Sequence, residues 1–256
     1  MALFQSGNPT LSQKIFDRSI DTANTGTMTV RGAITKFGFL MLMVIAGAAY
    51  TWNLYAQYKM QTMTTMLWIG LIGGLVTGLV VSFKPTLAKY LAPAYGLLEG
   101  FVIGALSAIV DGMFAEKYPN LVLTAVGLTF GVALAMFLLY NFRIIRPTQK
   151  FKSIILSSVI GIMLFYLITI VLSAFGVNMQ FMSITDSSPL GIGISLFVTA
   201  IAALSLILDF EMIEVGAETG APKYMEWYSA WGLLVTMVWL YIEVLKLLSR
   251  LASSRN

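Results

Sequence analysis

Two carboxylates near the end of the chain lie inside otherwise apolar stretches. Asp209 is part of LSLILDF, and Glu243 is part of VWLYIEVLKLL. A carboxylate at membrane depth is costly unless it is paired, protonated or hydrated, so such acids indicate a functional site by default. The chain has no His, so proton sensing near neutral pH would have to use carboxylates that desolvation or a neighbouring charge makes easier to protonate.

The elements that position these acids follow from composition. The chain is 58% hydrophobic and 11% charged, which is far more apolar than a soluble domain. Polar backbone groups must be satisfied internally in lipid, so apolar runs of about 20 residues predict spanning helices. The sequence predicts an all-α polytopic membrane protein with seven transmembrane helices, at about residues 37–55, 66–83, 91–110, 121–140, 154–175, 190–210 and 228–248.

The first 35 residues are polar and lack the apolar core of a cleavable signal peptide. We predict a cytosolic tail over residues 1–35 and a single transmembrane domain over 36–256. A short amphipathic helix on the membrane surface, from Leu11 to Ile20, is the alternative for part of the tail.

Lys and Arg placement predicts the orientation. With the N-terminus in the cytosol, 11 of the 16 basic residues fall on the inner side. The basic residues Lys246, Arg250 and Arg255 at the end of the chain run against this rule, so the side of the C-terminus stays open.

The chain lacks residues that many catalytic sites use. The absence of Cys excludes disulfides and thiolate catalysis, and the absence of His removes the usual metal ligand. We expect no enzyme activity, no cofactor and no metal site. The net charge of +4 gives no reason to expect a nucleic-acid partner.

The third span carries an acid among regularly spaced glycines. Gly96, Gly100 and Gly104 repeat every four residues, a spacing that lets another helix approach closely. Glu99 lies beside this face and has two interpretations, a pore or solvated-cavity residue and a hydrogen-bonded structural acid.

Three segments resemble a known family. GLLEGFVIG (96–104), LSLILDFEMI (204–213) and LYIEVLKLLSRL (240–251) are similar to signatures of the Bax inhibitor-1/YccA (transmembrane Bax inhibitor motif) family. The run APKYMEWYSAWGLLVTMVWLYIEVLKLL looks especially like a bacterial Bax inhibitor-1-like branch. The resemblance implies seven spans with the seventh helix central, in the bacterial inner (plasma) membrane.

The resemblance also implies a function. Bacterial members resemble pH-sensitive cation (calcium) leak channels gated by an intramembrane carboxylate pair, which here would be Asp209 and Glu243. The family's basic partner at the end of the second span matches Lys84, whose ammonium would make a single point contact where the pattern favours Arg. The implied partners are the lipid bilayer, calcium ions and protons.

A second function from a different class stays open. The family includes members that restrain a membrane-anchored ATP-dependent protease or stress-response partners. In that case, residues 1–31 and the basic loops would contact a membrane protein partner. Ion flux through purified protein, compared with copurifying proteins, separates the two functions.

Spacing constrains how the two acids could meet. Asp209 and Glu243 are 34 residues apart in the chain, and a plain helical hairpin would leave them at depths that differ by about 20 Å. A shared hydrogen bond therefore predicts a bend, with residues 222–232 along the interface and the last span beginning at Gly232. That segment would form an aromatic belt from Tyr224, Trp227, Tyr228 and Trp231.

Each acid also has a plainer interpretation. Asp209 would end the sixth span and be followed by a solvated acidic loop with Glu211, Glu214 and Glu218. Glu243 would form an ion pair with Lys246, one turn away on the same helix.

The predicted topology can be tested with fusions. A reporter after residue 35 should be cytosolic because most basic residues lie on that side, whereas reporters at Lys59 and Asp186 should be external. Accessibility of the reporters in intact cells measures both. A cytosolic reporter at Asp186 would contradict the seven-span prediction.

Overall fold

Seven long helices make up the protein. The computed structural model describes residues 26–177 and 183–254, and within them each of the seven helices is long and apolar enough to span a membrane. The predicted seven-helix membrane fold is confirmed. The helices are α1 (Val30–Ala56), α2 (Met60–Phe83), α3 (Ala88–Phe114), α4 (Leu121–Asn141), α5 (Gln149–Ala174), α6 (Pro189–Glu218) and α7 (Met225–Ser254), with a short 3-10 turn at Pro85–Leu87 before α3.

Hydroxyl side chains begin three of the helices. Thr29 precedes α1, and its Oγ1 accepts the Gly32 N–H at 2.9 Å. Thr148 and Ser188 cap α5 and α6 in the same way, which satisfies backbone donors that a helix start leaves unpaired. Helix α1 therefore begins at Val30, within the predicted tail. Residues 1–25 of that tail, including the alternative surface helix, lie outside the described residues.

The helices alternate in direction because their connections are short. Lengths of 21 to 30 residues correspond to about 32–45 Å at 1.5 Å per residue, enough to cross a hydrocarbon core of about 30 Å. We call the end of the bundle where α1 begins the proximal end. It also holds the ends of α2, α4 and α6 and the starts of α3, α5 and α7. The opposite end is the distal end.

Helix α7 is the centre of the bundle. It packs against α1, α3, α4 and α6. Inside the protein, 67% of its most apolar window is buried, compared with 17–22% for α1, α2, α4 and α5. The prediction of a central seventh helix is therefore confirmed.

The predicted bend between α6 and α7 is wrong. Helix α6 runs to Glu218, and α7 is continuous from Met225. Tyr228 and Trp231 are buried in the core, where the Trp231 ring meets the Tyr95 ring edge-on with centroids 5.7 Å apart. These rings fill the interior of the bundle instead of forming an interfacial belt, because Tyr95 of α3 supplies an aromatic partner there.

A short extended segment ties the start of α1 to the turn between α6 and α7. The Met28 N–H donates to the Ala221 carbonyl at 2.7 Å, and the Lys223 N–H donates to the Gly26 carbonyl at 2.9 Å. Gly220 has φ +72°, a left-handed conformation that glycine adopts without strain and that reverses the chain after α6. The first and last parts of the described chain are therefore hydrogen-bonded at the proximal end.

Helices α1 and α3 approach each other across glycines. A Cβ added at Gly100 would meet the Val44 carbonyl oxygen and lie 2.9 Å from the Cα of Gly47. A Cβ at Gly96 would lie 3.1 Å from a backbone oxygen of α1, and one at Gly104 would also meet α1 backbone. The glycine repeat of the third span thus lies against α1, with backbone in direct contact with backbone.

Gly100→Leu should destabilise the folded protein, because the side chain would force α1 and α3 apart. Overpacking of this kind costs about 1–3 kcal/mol or more. Thermal unfolding in detergent measures the effect, and Gly161→Leu in α5 is the matched control, since a Cβ there meets nothing within 4 Å. Equal unfolding midpoints for the two variants would contradict the close helix contact.

Candidate functional site

Both predicted acids are buried on neighbouring helices. Asp209 of α6 is 0% exposed and Glu243 of α7 is 2% exposed. Helix α6 continues from Asp209 to Glu218, so Asp209 lies within the helix and not at its end. Helix packing removes both carboxylates from lipid and bulk water.

Glu243 belongs to a compact polar cluster with α5. Its Oε1 accepts a hydrogen bond from the Tyr166 hydroxyl at 3.0 Å and from Lys246 Nζ at 2.9 Å. The ammonium also donates to the Tyr166 oxygen at 3.2 Å. Among the described residues, the buried Oε2 of Glu243 has no hydrogen-bond partner. Oε1 therefore accepts two hydrogen bonds. Oε2 is a buried acceptor to which a proton can bind.

The continuous helices hold the two acids at different levels. Asp209 lies nine residues before the end of α6, and Glu243 lies eighteen residues after the start of α7, which separates them by about 13 Å along the helix axis. Arg250 fixes the same register, because its side chain hydrogen-bonds to the Gly191 carbonyl at the start of α6. A hydrogen bond shared by Asp209 and Glu243 would need a bend between α6 and α7. Because both helices are continuous, the two acids lie on packed helices but at different levels.

The cation at Glu243 is Lys246, as the plainer interpretation of this acid has it. Lys246 is 22% exposed, so the ion pair reaches from the buried carboxylate toward the surface. Lys84 is exposed at the end of α2, and no ion pair of the described residues includes it. The structure therefore places Lys84 apart from the Glu243 cluster.

Glu99 lies between α3 and α2. Its Oε1 is 3.1 Å from the position that a Cβ of Gly74 would take, so a glycine of α2 makes room for the carboxylate. Tyr95, one turn earlier on α3, is its hydrogen-bonding neighbour. Glu99 is partly buried in this interface, away from the cluster around Glu243.

Comparison with known families decides the relationship. The family model described as Bax inhibitor 1 like matches residues 8–253 of the chain. This chain belongs to the Bax inhibitor 1 like family. The match confirms the resemblance carried by the motifs of the third, sixth and seventh spans. No curated protein and no solved structure matches the chain.

This Bax inhibitor 1 like protein uses the acids after Asp209 structurally. Glu211 pairs with Lys152 of α5 at 2.7 Å, and Glu214 pairs with Arg143 at 2.6 Å. The Tyr140 hydroxyl donates a short hydrogen bond to Glu214, and the negative charge of Glu214 raises the pKa of the Arg143 guanidinium. The interpretation of Glu211 and Glu214 as solvated loop acids is wrong, because both lie on α6 and pair with basic residues, Lys152 on α5 and Arg143 just after α4.

Sequence reasoning missed the role of Glu226, which is 0% exposed. Its carboxylate pairs with Lys36 of α1 and, at 2.7 Å, with Lys223. It also accepts the backbone N–H of Thr29 at 2.9 Å and the Thr29 hydroxyl at 3.0 Å. The only local signal was Lys223, three residues earlier, since the other partners are almost two hundred residues away in the chain.

The basic residues near the C-terminus lie partly inside the bundle. Arg250 is buried and donates to the carbonyls of Ser183 and Gly191, and Lys246 pairs with Glu243. Positive residues orient a membrane protein when they lie in exposed loops. Arg250 and Lys246 have internal acceptors, so they do not act as loop charges that orient the protein. Arg255 lies outside the described residues.

The chain also offers few groups for a metal ion. Within residues 26–177 and 183–254, no three side chains of His, Cys, Asp or Glu gather as a metal site would require. Four of the described acids, Glu211, Glu214, Glu226 and Glu243, instead bond to Lys, Arg, Tyr or backbone groups.

Glu226→Gln should destabilise the protein strongly, because it leaves Lys36 and Lys223 without their carboxylate. Removing one partner of a buried ion pair costs about 3–5 kcal/mol, and the exposure of Lys223 places the expected loss at the lower end. Thermal unfolding in detergent measures it. Glu218→Gln, which changes an exposed acid nearby, is the control, and equal midpoints would show that the cluster contributes little.

Proposed function

We propose that this protein is a proton-sensitive cation leak channel of a bacterial inner membrane, with calcium among its ions and its N-terminus in the cytosol. The observation that carries the proposal is the burial of two carboxylates on the paired helices α6 and α7. Buried acids in membrane proteins mark ion or proton paths more often than they stabilise the fold. Membership of the Bax inhibitor 1 like family is consistent with this role.

The arrangement described here corresponds to the closed channel. Helix α7 occupies the centre of the bundle, and Tyr228, Trp231, Leu234 and Leu240 are among its fully buried side chains. A cation path through the bundle therefore requires α7 to shift against its neighbours. The contacts between α7 and α5 that involve charge are the ones that protons can alter.

Glu243 is the proposed proton switch. In the closed state its ionised carboxylate binds Lys246 and the Tyr166 hydroxyl. A proton on the carboxylate removes its charge, so the attraction to Lys246 is lost and the partly exposed ammonium can turn to water. Protonation thus weakens a link between α7 and α5. We expect the leak to increase as the pH falls and to decrease as the pH rises.

Asp209 is a second proton site in this proposal and acts at another level of the same helix pair. It lies about 13 Å from Glu243 along the axis, so the two acids influence each other through the packing of α6 against α7. Gating by two acids then needs no shared hydrogen bond. It requires only that both carboxylates favour the same closed arrangement of the two helices.

Calcium flux into liposomes tests the proposal. Glu243→Gln resembles the protonated side chain, so it should raise flux at pH 8 toward the wild-type level at about pH 5 and flatten the pH dependence. Lys246→Met should have the same effect, because it removes the other charge of the pair. Asp209→Asn should also flatten the profile, whereas the exposed-site control Glu218→Gln should keep it.

Wild-type pH dependence in Glu243→Gln and Asp209→Asn would contradict the assignment of the sensor, and Glu99 would be the next acid to test. No calcium flux in the wild-type protein, together with a copurifying membrane protein, would instead favour a role in restraining a membrane partner. Protein orientation in the liposomes is determined by protease access to the ends of the chain, so that flux is compared per correctly oriented molecule.

A further inference from the structure

An apolar groove opens between α1 and α4, two helices that do not pack closely on each other. Its distal part has a volume of about 580 Å³ and its proximal part about 480 Å³. Both parts are lined by Phe130 of α4 and Met237 of α7, so they adjoin at these side chains and are treated as one groove. The floor is α7, with Leu233, Met237 and Tyr241.

The groove follows the whole length of α1. Val30, the first residue of that helix, lines its proximal end, and Ala56, the last residue, lines its distal end. The lining is mostly aliphatic and aromatic. The buried hydroxyls of Ser107 and Tyr241, which also line it, bond to each other at 2.5 Å. A molecule that fills the groove would therefore be long and apolar.

The distal part of the groove is too narrow to enclose a helix from a partner. The distal part extends from Met41 to Ala56, about 22 Å of helix, so its 580 Å³ corresponds to a mean cross-section of about 25 Å². A helix about 10 Å across needs roughly 80 Å². The section suits a single extended hydrocarbon chain, and the bilayer around seven spanning helices supplies such chains.

The positively charged side chain of Arg143 lies at the proximal end of the groove. Arg143 lines the groove there, and its side chain is 53% exposed. Its Nη2 donates to Glu214, which also lines this part of the groove, and the guanidinium hydrogen-bonds to Tyr140. A guanidinium has five N–H groups, so those that Glu214 and Tyr140 do not use can bind a further acceptor. Arg143 follows the end of α4 at Asn141, where headgroups lie, and a guanidinium binds phosphate through paired hydrogen bonds.

We propose that this groove binds a membrane phospholipid, with one acyl chain between α1 and α4 and its phosphate at Arg143. The site is separate from the Glu243 cluster and does not depend on the proposed channel activity. Since the floor of the groove is α7, the bound chain packs against the central helix. Loss of the lipid should therefore also lower the thermal stability of the detergent-extracted protein.

Photocrosslinking in vesicles tests the groove. The protein is reconstituted with a trace of phosphatidylglycerol that carries a photoreactive group in one acyl chain, and labelled residues are mapped by mass spectrometry. Labels should concentrate on groove residues such as Ile45 and Phe130, and they should be scarcer on the lipid-exposed faces of α2 and α5. Ala49→Trp should largely abolish the groove labels, because Ala49 lines the groove and the indole would fill it.

Ala46→Trp is the matched control, since Ala46 is exposed on α1 but does not line the groove. Equal labelling of the groove in Ala49→Trp and Ala46→Trp would overturn the proposal, as would labels spread evenly over all lipid-exposed helices. Weak groove labelling in every variant, in a protein that runs as a dimer, would show that a second copy covers the groove and would also overturn it.

A second arm tests the headgroup contact. Diacylglycerol with the same photoreactive chain lacks the phosphate, so it should label the groove about tenfold less than the phospholipid does. Arg143→Gln should remove that difference, and Lys150→Gln, which changes an exposed basic residue at the same end of the bundle, should keep it. Equal labelling by both probes in the wild-type protein would overturn the assignment of the phosphate to Arg143.

Discussion

The structure depends on satisfying the charges that its central helix carries. Helix α7 brings Glu226, Glu243, Lys246 and Arg250 into the bundle, where an unpaired charge would be costly. Glu226 is bonded to α1, Glu243 to α5, and Arg250 to a carbonyl of α6. Glu226, Glu243 and Arg250 thus join the central helix to three different neighbours, and the set of contacts specifies the rotation and depth of α7 within the bundle.

Close backbone packing and ion pairs hold the other helices together. In a bilayer, apolar side chains gain little by leaving lipid for protein, so helices associate through close backbone approach and polar contacts. The glycines of α3 against α1 provide the first kind of contact, and the ion pairs of Glu211 and Glu214 provide the second. These ion pairs join α6 to α5 and to the end of α4 near the proximal end of the bundle, and Asp209 lies just before Glu211 on α6.

The sequence predicted what local patterns determine and missed what depends on distant partners. Seven apolar runs, the central seventh helix and the burial of Asp209 and Glu243 follow from hydropathy and family motifs. The bend failed because Trp231 resembles an interfacial residue until its contact with Tyr95, far away in the chain, is known. The role of Glu226 was missed because its partner Lys36 is 190 residues away in the sequence. The expected hydrogen bond between Asp209 and Glu243 required the bend between α6 and α7, so both expectations had the same cause.

The pairing of residues 26–28 with residues 221–223 has a consequence for biogenesis. During synthesis α1 is made before the other six helices, whereas the turn that pairs with the segment before α1 is made nearly two hundred residues later. The start of α1 therefore cannot form these hydrogen bonds until the turn between α6 and α7 has been made. In every shorter intermediate, the start of α1 lacks these backbone partners. Assembly is thus completed by closing a loop over almost the whole chain, a late step whose entropic cost grows only slowly with loop length.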